Sequence, residues 1–434
     1  MGKAEKDAVL QVMETDVLSA FIAGPGKFFL GGEKVQEFEK TWAREYGFRH
    51  AVSVNSLTTG LITAIGALGI SPGDEVICTP YSMSASVTCA IFYGGIPVFA
   101  DIDPNSLCLD PGSVEAKVTE RTKAIVVVHL AGYPAEMDSI MEIARMHNLK
   151  VVEDAAQAPG TYYRGRALGG IGDIGGFSLN YHKHIHTGEG GMMVTNDDDL
   201  AQRCRLIRNH GEALIDAFQL DNLVNVVGSN YRLTEIQAAI GIEQLKRLPG
   251  YLEVRQELAA HLSDRLSKLN GLITQTPPPA GTHAYYLYPF RYRAEATKLP
   301  RGLFLRAVLA ELPSPDCFES TPLIEGYVKP LYLNKIFQEK TALGRQGFPF
   351  AYNSGVEYRY DRGLCPVAER MYEKELLLSP LVREPLTTAD LDDLADAMEK
   401  VLENAGAIGE KFSAEFSEGS VFTGLEAVNK ASER

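Results

Sequence analysis

One lysine of this chain stands among residues that could make its amine reactive. Lys183 lies between His182 and His184, with His186 shortly after them, and the glycine-rich segment T-G-E-G-G follows. A lysine amine that is removed from water near cationic groups has a lowered pKa and becomes a nucleophile that forms a Schiff base with a carbonyl. An ordinary charged loop and a metal site on the three histidines are the alternatives. Neither a carboxylate nor a cysteine stands at ligand spacing, so we expect no metal here.

Other residues supply what a pyridoxal-phosphate site needs around such a lysine. Asp154 ends the strand pattern V-V-E-D, where a carboxylate can pair with the protonated pyridine nitrogen that makes this cofactor an electron sink. Ser56, Thr58 and Thr59 follow the strand pattern H-A-V-S-V-N and open a helix pattern, a place where amides and hydroxyls bind phosphate. Each group alone could instead be a surface ion pair or a helix cap. Their order and spacing together predict a pyridoxal-phosphate site.

Short apolar runs alternate with helical patterns through the first half of the chain, which indicates an α/β fold. Predicted strands lie at residues 50–55, 74–80, 96–103, 122–132 and 149–158. The last two are almost continuously apolar, as strands buried in a parallel sheet are. Functional residues of such folds gather where strands end in loops. Asp154 and Ser56 stand at such ends.

The length of 434 residues is too great for one compact core and predicts two domains or a large domain with an appendage. Between about 230 and 270 the pattern predicts two helices in succession, L-T-E-I-Q-A-A-I-G-I-E-Q-L-K-R-L and then Y-L-E-V-R-Q-E-L-A-A-H-L-S-D-R-L-S-K-L. The segment T-P-P-P-A-G-T-H follows, whose prolines and glycine break a helix, and a strand pattern after it begins a new structural unit. We therefore expect a large domain over residues 1–250, a smaller one over 251–405, and a tail or appendage over 406–434.

Charge and cysteine usage bear on partners and location. Lys plus Arg number 42 against 56 Asp plus Glu, and the formal charge of -14 argues against nucleic acid or an anionic membrane as a general partner. The six cysteines are far apart without a C-x-x-C pair, which favours a reducing compartment. The N-terminal segment has no signal-peptide pattern, and no apolar stretch is long enough to span a bilayer. We expect a cytoplasmic protein with neither partner.

One glycine motif in the chain is misleading. Gly170, Gly172 and Gly175 match the dinucleotide-binding pattern G-x-G-x-x-G. That pattern requires a strand before it and a helix after it, whereas a turn precedes these glycines and the strand pattern G-F-S-L-N-Y follows. We interpret the segment as a glycine-rich connection.

Several motifs in fixed order resemble the DegT/DnrJ/EryC1/StrS family of pyridoxal-phosphate aminotransferases, which act mainly on nucleotide-linked keto sugars. The resemblance extends from about Phe29 to about Leu402. It is carried by F-L-G-G-E-K-V-Q-E-F-E-K, H-A-V-S-V-N-S-L-T-T-G-L, P-V-F-A-D-I-D, V-V-E-D-A-A-Q-A-P-G, F-S-L-N-Y-H-K-H-I-H-T-G-E-G-G, R-N-H-G-E, G-S-N-Y-R-L-T-E-I-Q-A-A-I-G and C-P-V-A-E-R-M-Y-E-K-E-L-L-L-S-P-L.

The resemblance implies roles for residues around the cofactor ring. Lys183 stands where the family's Schiff-base lysine stands and would be the catalytic residue. Asp154 would pair with the pyridine nitrogen, and Gln157 would meet the 3-hydroxyl. These assignments agree with the chemistry of Lys183 and Asp154 considered above.

The resemblance also implies how the cofactor phosphate is held. Ser178 would contact it, together with Thr58 and the backbone around Leu57 and Thr59. Asn230 would reach the phosphate from the partner subunit, so a homodimer with shared active sites is expected.

The family's fold is the type I aminotransferase fold, an α/β fold with a mostly parallel seven-stranded sheet in the large domain and a smaller C-terminal α/β domain. The implied reaction moves an amino group from glutamate or glutamine to a ketone of a nucleotide-linked keto sugar, with a cyclitol ketone as another acceptor. Two alternatives stay open, a sugar dehydratase on the same fold and a non-catalytic pyridoxal-phosphate-binding regulator. The dehydratase branch has a histidine in place of the lysine, so Lys183 favours transamination.

Three positions depart from the family pattern. Leu57 replaces a glycine of the phosphate loop, and the lysine stands in N-Y-H-K-H-I where H-P-T-K-N-I is common. Ser84 aligns with an aromatic residue that often stacks on the cofactor ring, which leaves the stacking residue unassigned. These departures concern the substrate more than the cofactor.

Overall fold

The computed structural model describes residues 1–313 and 321–412, so the part of the predicted tail beyond 412 lies outside the described residues. The strands are β1 His50–Val54, β2 Glu75–Cys78, β3 Ile96–Phe99, β4 Thr122–Val128, β5 Lys150–Asp154, β6 Tyr162–Tyr163, β7 Arg166–Ala167, β8 Ile174–Ser178, β9 Gly191–Thr195, β10 Leu272–Thr274, β11 Tyr288–Tyr292, β12 Ile324–Glu325 and β13 Leu376–Ser379. The α-helices are α1 Lys3–Met13, α2 Glu33–Tyr46, α3 Leu57–Ala67, α4 Ala85–Ile91, α5 Pro111–Glu115, α6 Met137–Met146, α7 Asp198–Arg208, α8 Ile215–Phe218, α9 Glu235–Leu266, α10 Ala294–Thr297, α11 Arg301–Glu311, α12 Lys335–Gln338, α13 Pro366–Arg370, α14 Thr388–Glu403 and α15 Ala405–Phe412.

Seven strands form the main sheet, in the order β1-β9-β8-β5-β4-β2-β3. All run parallel except β9, which is antiparallel to both of its neighbours. Strand β4 is almost entirely buried, which agrees with the apolar run that predicted it. The mostly parallel sheet confirms the predicted fold class, and it brings the carboxyl ends of its parallel strands to one edge.

Helix α2 shows how the surrounding helices cover this sheet. Its buried residues, Val35, Phe38, Glu39 and Trp42, follow one another at helical spacing and form one face. Trp42 contacts Phe177 of β8 with ring centroids 5.2 Å apart. The one charged member of the face, Glu39, accepts a 2.5 Å hydrogen bond from Arg208, so its charge is paired.

A second, four-stranded sheet has the order β10-β11-β13-β12 and is antiparallel throughout. With helices α11 and α14 it encloses a separate hydrophobic cluster that runs from Leu258 to Ala405. The two helices predicted between 230 and 270 are one helix, α9, which continues through Pro249 and buries residues on both sides of it. The predicted domain boundary at 250 falls inside this helix and stays a prediction. Within the described residues, no helix has the length and apolar character that crossing a membrane requires.

Candidate active site

Three strand ends and the start of one helix meet at one edge of the main sheet. Asp154 ends β5 and pairs in register with Gly176 of β8. Ser178 ends β8 opposite Gly191, which in turn pairs with Val54 at the end of β1. Helix α3 begins three residues after Val54. The predicted carboxylate, the predicted phosphate-binding serine and the helix N-terminus therefore lie on neighbouring elements.

Lys183 lies in the loop between β8 and β9, at the same edge of the sheet. Its Nζ is 4.3 Å from the centre of the Tyr286 ring. Burial lowers the pKa of the Lys183 amine from 10.5 to about 8, an effect that the negative charge of Asp154 opposes. The amine therefore loses its proton far more readily near neutral pH than an ordinary lysine does, as a nucleophilic lysine requires.

Asp154 is buried, and its carboxylate accepts hydrogen bonds on both oxygens. Ser86 Oγ donates to Oδ2 at 2.7 Å, and the amide of Ala156 donates to Oδ1 at 3.1 Å. Ser82 Oγ lies 3.1 Å from Ser86 Oγ and extends this polar chain. These donors fix the orientation of the carboxylate that is expected to pair with the cationic ring nitrogen.

Gln157 is held from two directions. Its Oε1 accepts a 2.6 Å hydrogen bond from the amide of Ala131, and its Nε2 donates a 2.8 Å hydrogen bond to Tyr327 Oη. Tyr327 belongs to the C-terminal part of the chain, and its own amide donates to Tyr81 Oη at 3.0 Å. The C-terminal part of the chain therefore fixes the amide of Gln157.

The N-terminus of α3 explains the leucine that departs from the family pattern. Ser56 caps the helix by accepting from the amide of Thr59 at 3.2 Å, while the Thr58 side chain is exposed. Leu57 is buried at the first helical position, and a Cβ added at Gly176 would lie 2.4 Å from its Cδ1. A leucine is accommodated here because the facing strand carries a glycine.

Asn230 lies near the start of α3, and its side-chain hydrogen bond among the described residues is to Arg232. Its Oδ1 accepts a 2.7 Å hydrogen bond from Arg232, and its backbone oxygen accepts a 3.4 Å bond from Asn55. The Asn230 side chain is exposed. Ser178 is the last residue of β8, and its Oγ accepts a 3.3 Å hydrogen bond from the amide of Asn180.

His184, the histidine directly after Lys183, has a structural contact. His184 is buried, and its Nε2 donates a 2.9 Å hydrogen bond to the backbone oxygen of Ala284. In the described ranges, no three His, Cys, Asp or Glu side chains are grouped as metal ligands.

The glycine motif at 170–175 leads into strand β8, which confirms that it is not a dinucleotide-binding turn.

Comparison with known proteins agrees with this geometry. A sequence model of the DegT/DnrJ/EryC1/StrS aminotransferase family matches residues 14–312. The chain belongs to this family. Spore coat polysaccharide biosynthesis protein SpsC of Bacillus subtilis is 35% identical over 411 residues, which cover 93% of this chain and 96% of that protein. GDP-perosamine synthase of Caulobacter vibrioides is 42% identical over 289 residues, 66% of this chain and 74% of that enzyme.

Solved structures of family members superpose on most of the chain. The aminotransferase from Psychrobacter cryohalolentis has a TM-score of 0.79 at 31% identity and covers 94% of this chain and 98% of its own. DesV of S. venezuelae, solved with a ketimine intermediate, has a TM-score of 0.74 at 28% identity, covering 92% and 94%. As a DegT/DnrJ/EryC1/StrS aminotransferase, the protein is a pyridoxal-phosphate-dependent enzyme with the type I fold.

Several residues around the site of this aminotransferase were not found from the sequence. Ser86, Tyr286 and Tyr327 contact Asp154, Lys183 and Gln157 respectively. Ser86 stands two residues after Ser84 in Y-S-M-S-A-S, and no pattern around it marks a site residue. Ser84 itself is the residue before helix α4 and makes no side-chain capping bond.

Proposed function

We propose that this aminotransferase moves the amino group of glutamate or glutamine to a ketone of a nucleotide-linked keto sugar. The observation that carries the proposal is the enclosed Lys183 amine, whose pKa is lowered to about 8 at the edge of the sheet where Asp154 lies. GDP-perosamine synthase among the relatives supports a nucleotide-linked acceptor.

The residues at the sheet edge fit the cofactor. Lys183 offers an enclosed amine to bind its aldehyde, and Asp154 offers a hydrogen-bonded carboxylate for the ring nitrogen. Gln157, fixed by Ala131 and Tyr327, would meet the 3-hydroxyl. When bound, the cofactor supplies an electron sink for the carbanion that forms at the donor's α-carbon.

The start of α3 would hold the cofactor phosphate. Thr58 and the backbone of Leu57 and Thr59 lie at its first turn, where amides without helical partners bind anions. Ser178 would add a hydroxyl from the adjoining strand end. Asn230, whose side chain is exposed, would reach the phosphate of a partner subunit in a homodimer with shared sites.

Lys183 would also move the proton that transamination requires. Once free of the cofactor, its Nζ would remove the proton from the donor's α-carbon as a general base and deliver it to C4′ of the cofactor as a general acid. A pKa of about 8 lies close enough to neutral pH to suit both roles.

A second acceptor class has its own support. The L-glutamine:2-deoxy-scyllo-inosose aminotransferase of Streptoalloteichus tenebrarius is 34% identical over 399 residues, which cover 89% of this chain and 90% of that enzyme. A cyclitol ketone is therefore the second candidate acceptor, and glutamine the first donor to test.

We also propose that the enzyme is cytoplasmic, which the five free cysteines among the described residues support.

The deciding experiment replaces Lys183 by Ala. The variant should lose the visible absorption of the bound cofactor and all turnover, whereas Lys400→Ala, on an exposed ion pair with Glu311, should keep both. Retention of both properties in Lys183→Ala would contradict the assignment. A screen of keto-sugar and cyclitol ketones then identifies the acceptor, and a product that loses a hydroxyl instead of gaining an amine would indicate the dehydratase.

A further inference from the structure

A cavity of about 390 Å³ adjoins Lys183, large enough for a small substrate. Three parts of the chain enclose it: the lysine loop, helix α9 and the loop that follows β13. The lining residues that bear on its chemistry are Lys183, His184, Arg255, Arg383 and Glu384.

The charges around this cavity are mostly positive. Arg255 and Arg383 line it together with Lys183, and Glu384 is the acidic residue of the lining. The Glu384 side chain is exposed, whereas Arg255 is buried and Arg383 is partly buried. In a chain with a formal charge of -14, such a cavity is a local exception. Anions entering it would meet cations removed from bulk water, where attraction is stronger.

Arg255 is buried without a carboxylate partner in the described part of the chain. Its Nη1 donates to the backbone oxygens of Tyr285 and Tyr286, at 2.7 Å and 3.4 Å. Burial, and after it the positive charge of Arg383, lower the pKa of the Arg255 guanidinium to about 10. Burying the Arg255 cation without a carboxylate partner costs free energy, which an anionic ligand would offset.

His184 supplies a second, independent indication of a ligand. It lines the cavity and is 6% exposed. Its Nε2 bonds to Ala284, while its Nδ1 is buried without a hydrogen-bond partner among the described residues. Because Nε2 carries the proton, Nδ1 is an acceptor, so it would bind a hydroxyl or amine of the same substrate and not its anionic oxygens.

We propose that this cavity binds the anionic group of a substrate, with Arg383 and Arg255 as its cationic partners. The group is the carboxylate of the amino donor or the diphosphate of the acceptor, since both carry anionic oxygens that arginine binds. The inference rests on the proposed function, because it assumes substrates that react at Lys183. It adds a specificity-determining site on the C-terminal loop to the cofactor site described above.

The test uses Arg383→Met, because Arg255 also bonds to the backbone and its replacement disturbs folding. Calorimetry on the purified holoenzyme would measure binding of two unreactive probes, glutarate for the donor and inorganic diphosphate for the acceptor. The matched control is Arg359→Met, since Arg359 is exposed, pairs with Glu357 and does not line the cavity. Loss of one charge-assisted contact should weaken a probe by about tenfold or more.

If Arg383→Met binds glutarate more weakly while Arg359→Met does not, the site takes the donor carboxylate. If Arg383→Met binds diphosphate more weakly while Arg359→Met does not, the site takes the acceptor diphosphate. Equal affinities of Arg383→Met and Arg359→Met for both probes, or no binding of either probe to the wild type, would overturn the inference.

A single-turnover reaction of the wild type with glutamine or glutamate tests the proposed function separately. If the cofactor gains the amine but Arg383→Met leaves both affinities unchanged, only the anion site is wrong. If no donor reacts while glutarate binding depends on Arg383, only the proposed function is wrong.

Discussion

Ser86 Oγ donates a 2.7 Å hydrogen bond to Oδ2 of Asp154 although the two residues are 68 positions apart in the chain. Both side chains are buried, and Ser82 Oγ lies 3.1 Å from Ser86 Oγ. The hydroxyl therefore fixes one oxygen of the carboxylate proposed to hold the cofactor ring. Ser86 is a positioning residue, since it acts through Asp154.

Replacing Ser86 by Ala should weaken the hold of Asp154 on the cofactor. Hydrogen bonds to charged groups contribute about 1.5–3 kcal/mol, so kcat should fall by about tenfold or more. The pH at which the bound cofactor changes its visible absorption should rise, because a less firmly held carboxylate leaves the ring nitrogen less protonated, and such a ring withdraws less charge from the Schiff-base nitrogen. Ser86→Thr keeps the hydroxyl and should restore both, and Ser82→Ala should have a smaller effect. An unchanged absorption profile in Ser86→Ala would show that the contact is only structural.

The pKa of Lys183 predicts how the stability of the cofactor-free enzyme depends on pH. The folded-state pKa is about 8, below the ordinary value of 10.5. Between these two values the unfolded chain binds more protons than the folded one, so the free energy of unfolding rises with pH across that window. The gain is on the order of 3 kcal/mol at most. Urea unfolding of wild type and Lys183→Met at pH 7 and pH 10 measures it. A stability difference between the two proteins that does not change with pH would contradict the lowered pKa.

The sequence predicted those parts of the molecule whose signal is local. Strand β4 is recognisable because a parallel strand buried on both faces is continuously apolar. Lys183 and Asp154 are recognisable because each stands in a short motif at a strand end. Ser86 and Tyr327 are different, since their partners lie 68 and 170 residues away and nothing in their own surroundings marks them.

Helix α9 shows a second limit of prediction from local patterns. Pro249 predicts a break, because proline lacks the amide that an interior helical residue donates. The helix continues because Leu245, Leu248 and Leu252 bury their side chains on both sides of the proline. Tertiary packing of this kind outweighs a local preference of about 3 kcal/mol.

Leu57 and Gly176 should behave as a coupled pair. Gly176→Ala places a Cβ 2.4 Å from Leu57 Cδ1, so it should destabilise the protein by about 1–3 kcal/mol through overpacking. Leu57→Ala should cost about 2–5 kcal/mol through the cavity it leaves. The double variant should be more stable than the sum of the two losses predicts, because the shortened side chain makes room for the added methyl. Additive free energies of unfolding in denaturant would show that the two residues do not share this space.

We expect the buried carboxylate of Glu153 to stabilise the fold by holding the glycine-rich segment at residues 169–172. Its buried carboxylate accepts hydrogen bonds from the amides of Gly169, Ile171 and Gly172, at 2.8, 2.6 and 2.6 Å. His129 Nε2 donates the fourth at 3.0 Å, because its Nδ1 accepts from the Ala135 amide. The backbone of the glycine-rich segment thus surrounds the Glu153 carboxylate and donates hydrogen bonds to it.

Glu153→Gln turns one accepting oxygen into an amide donor that faces other donors. Leaving such buried groups unsatisfied should lower the free energy of unfolding by about 3 kcal/mol or more. Glu295→Gln is the matched control, because Glu295 is exposed and pairs only with Arg293 in the described part of the chain. Urea unfolding compares the two, and cofactor absorption reports whether the adjoining Asp154 is displaced. A loss in Glu153→Gln no larger than in Glu295→Gln would mean that the glycine segment keeps its path without this carboxylate.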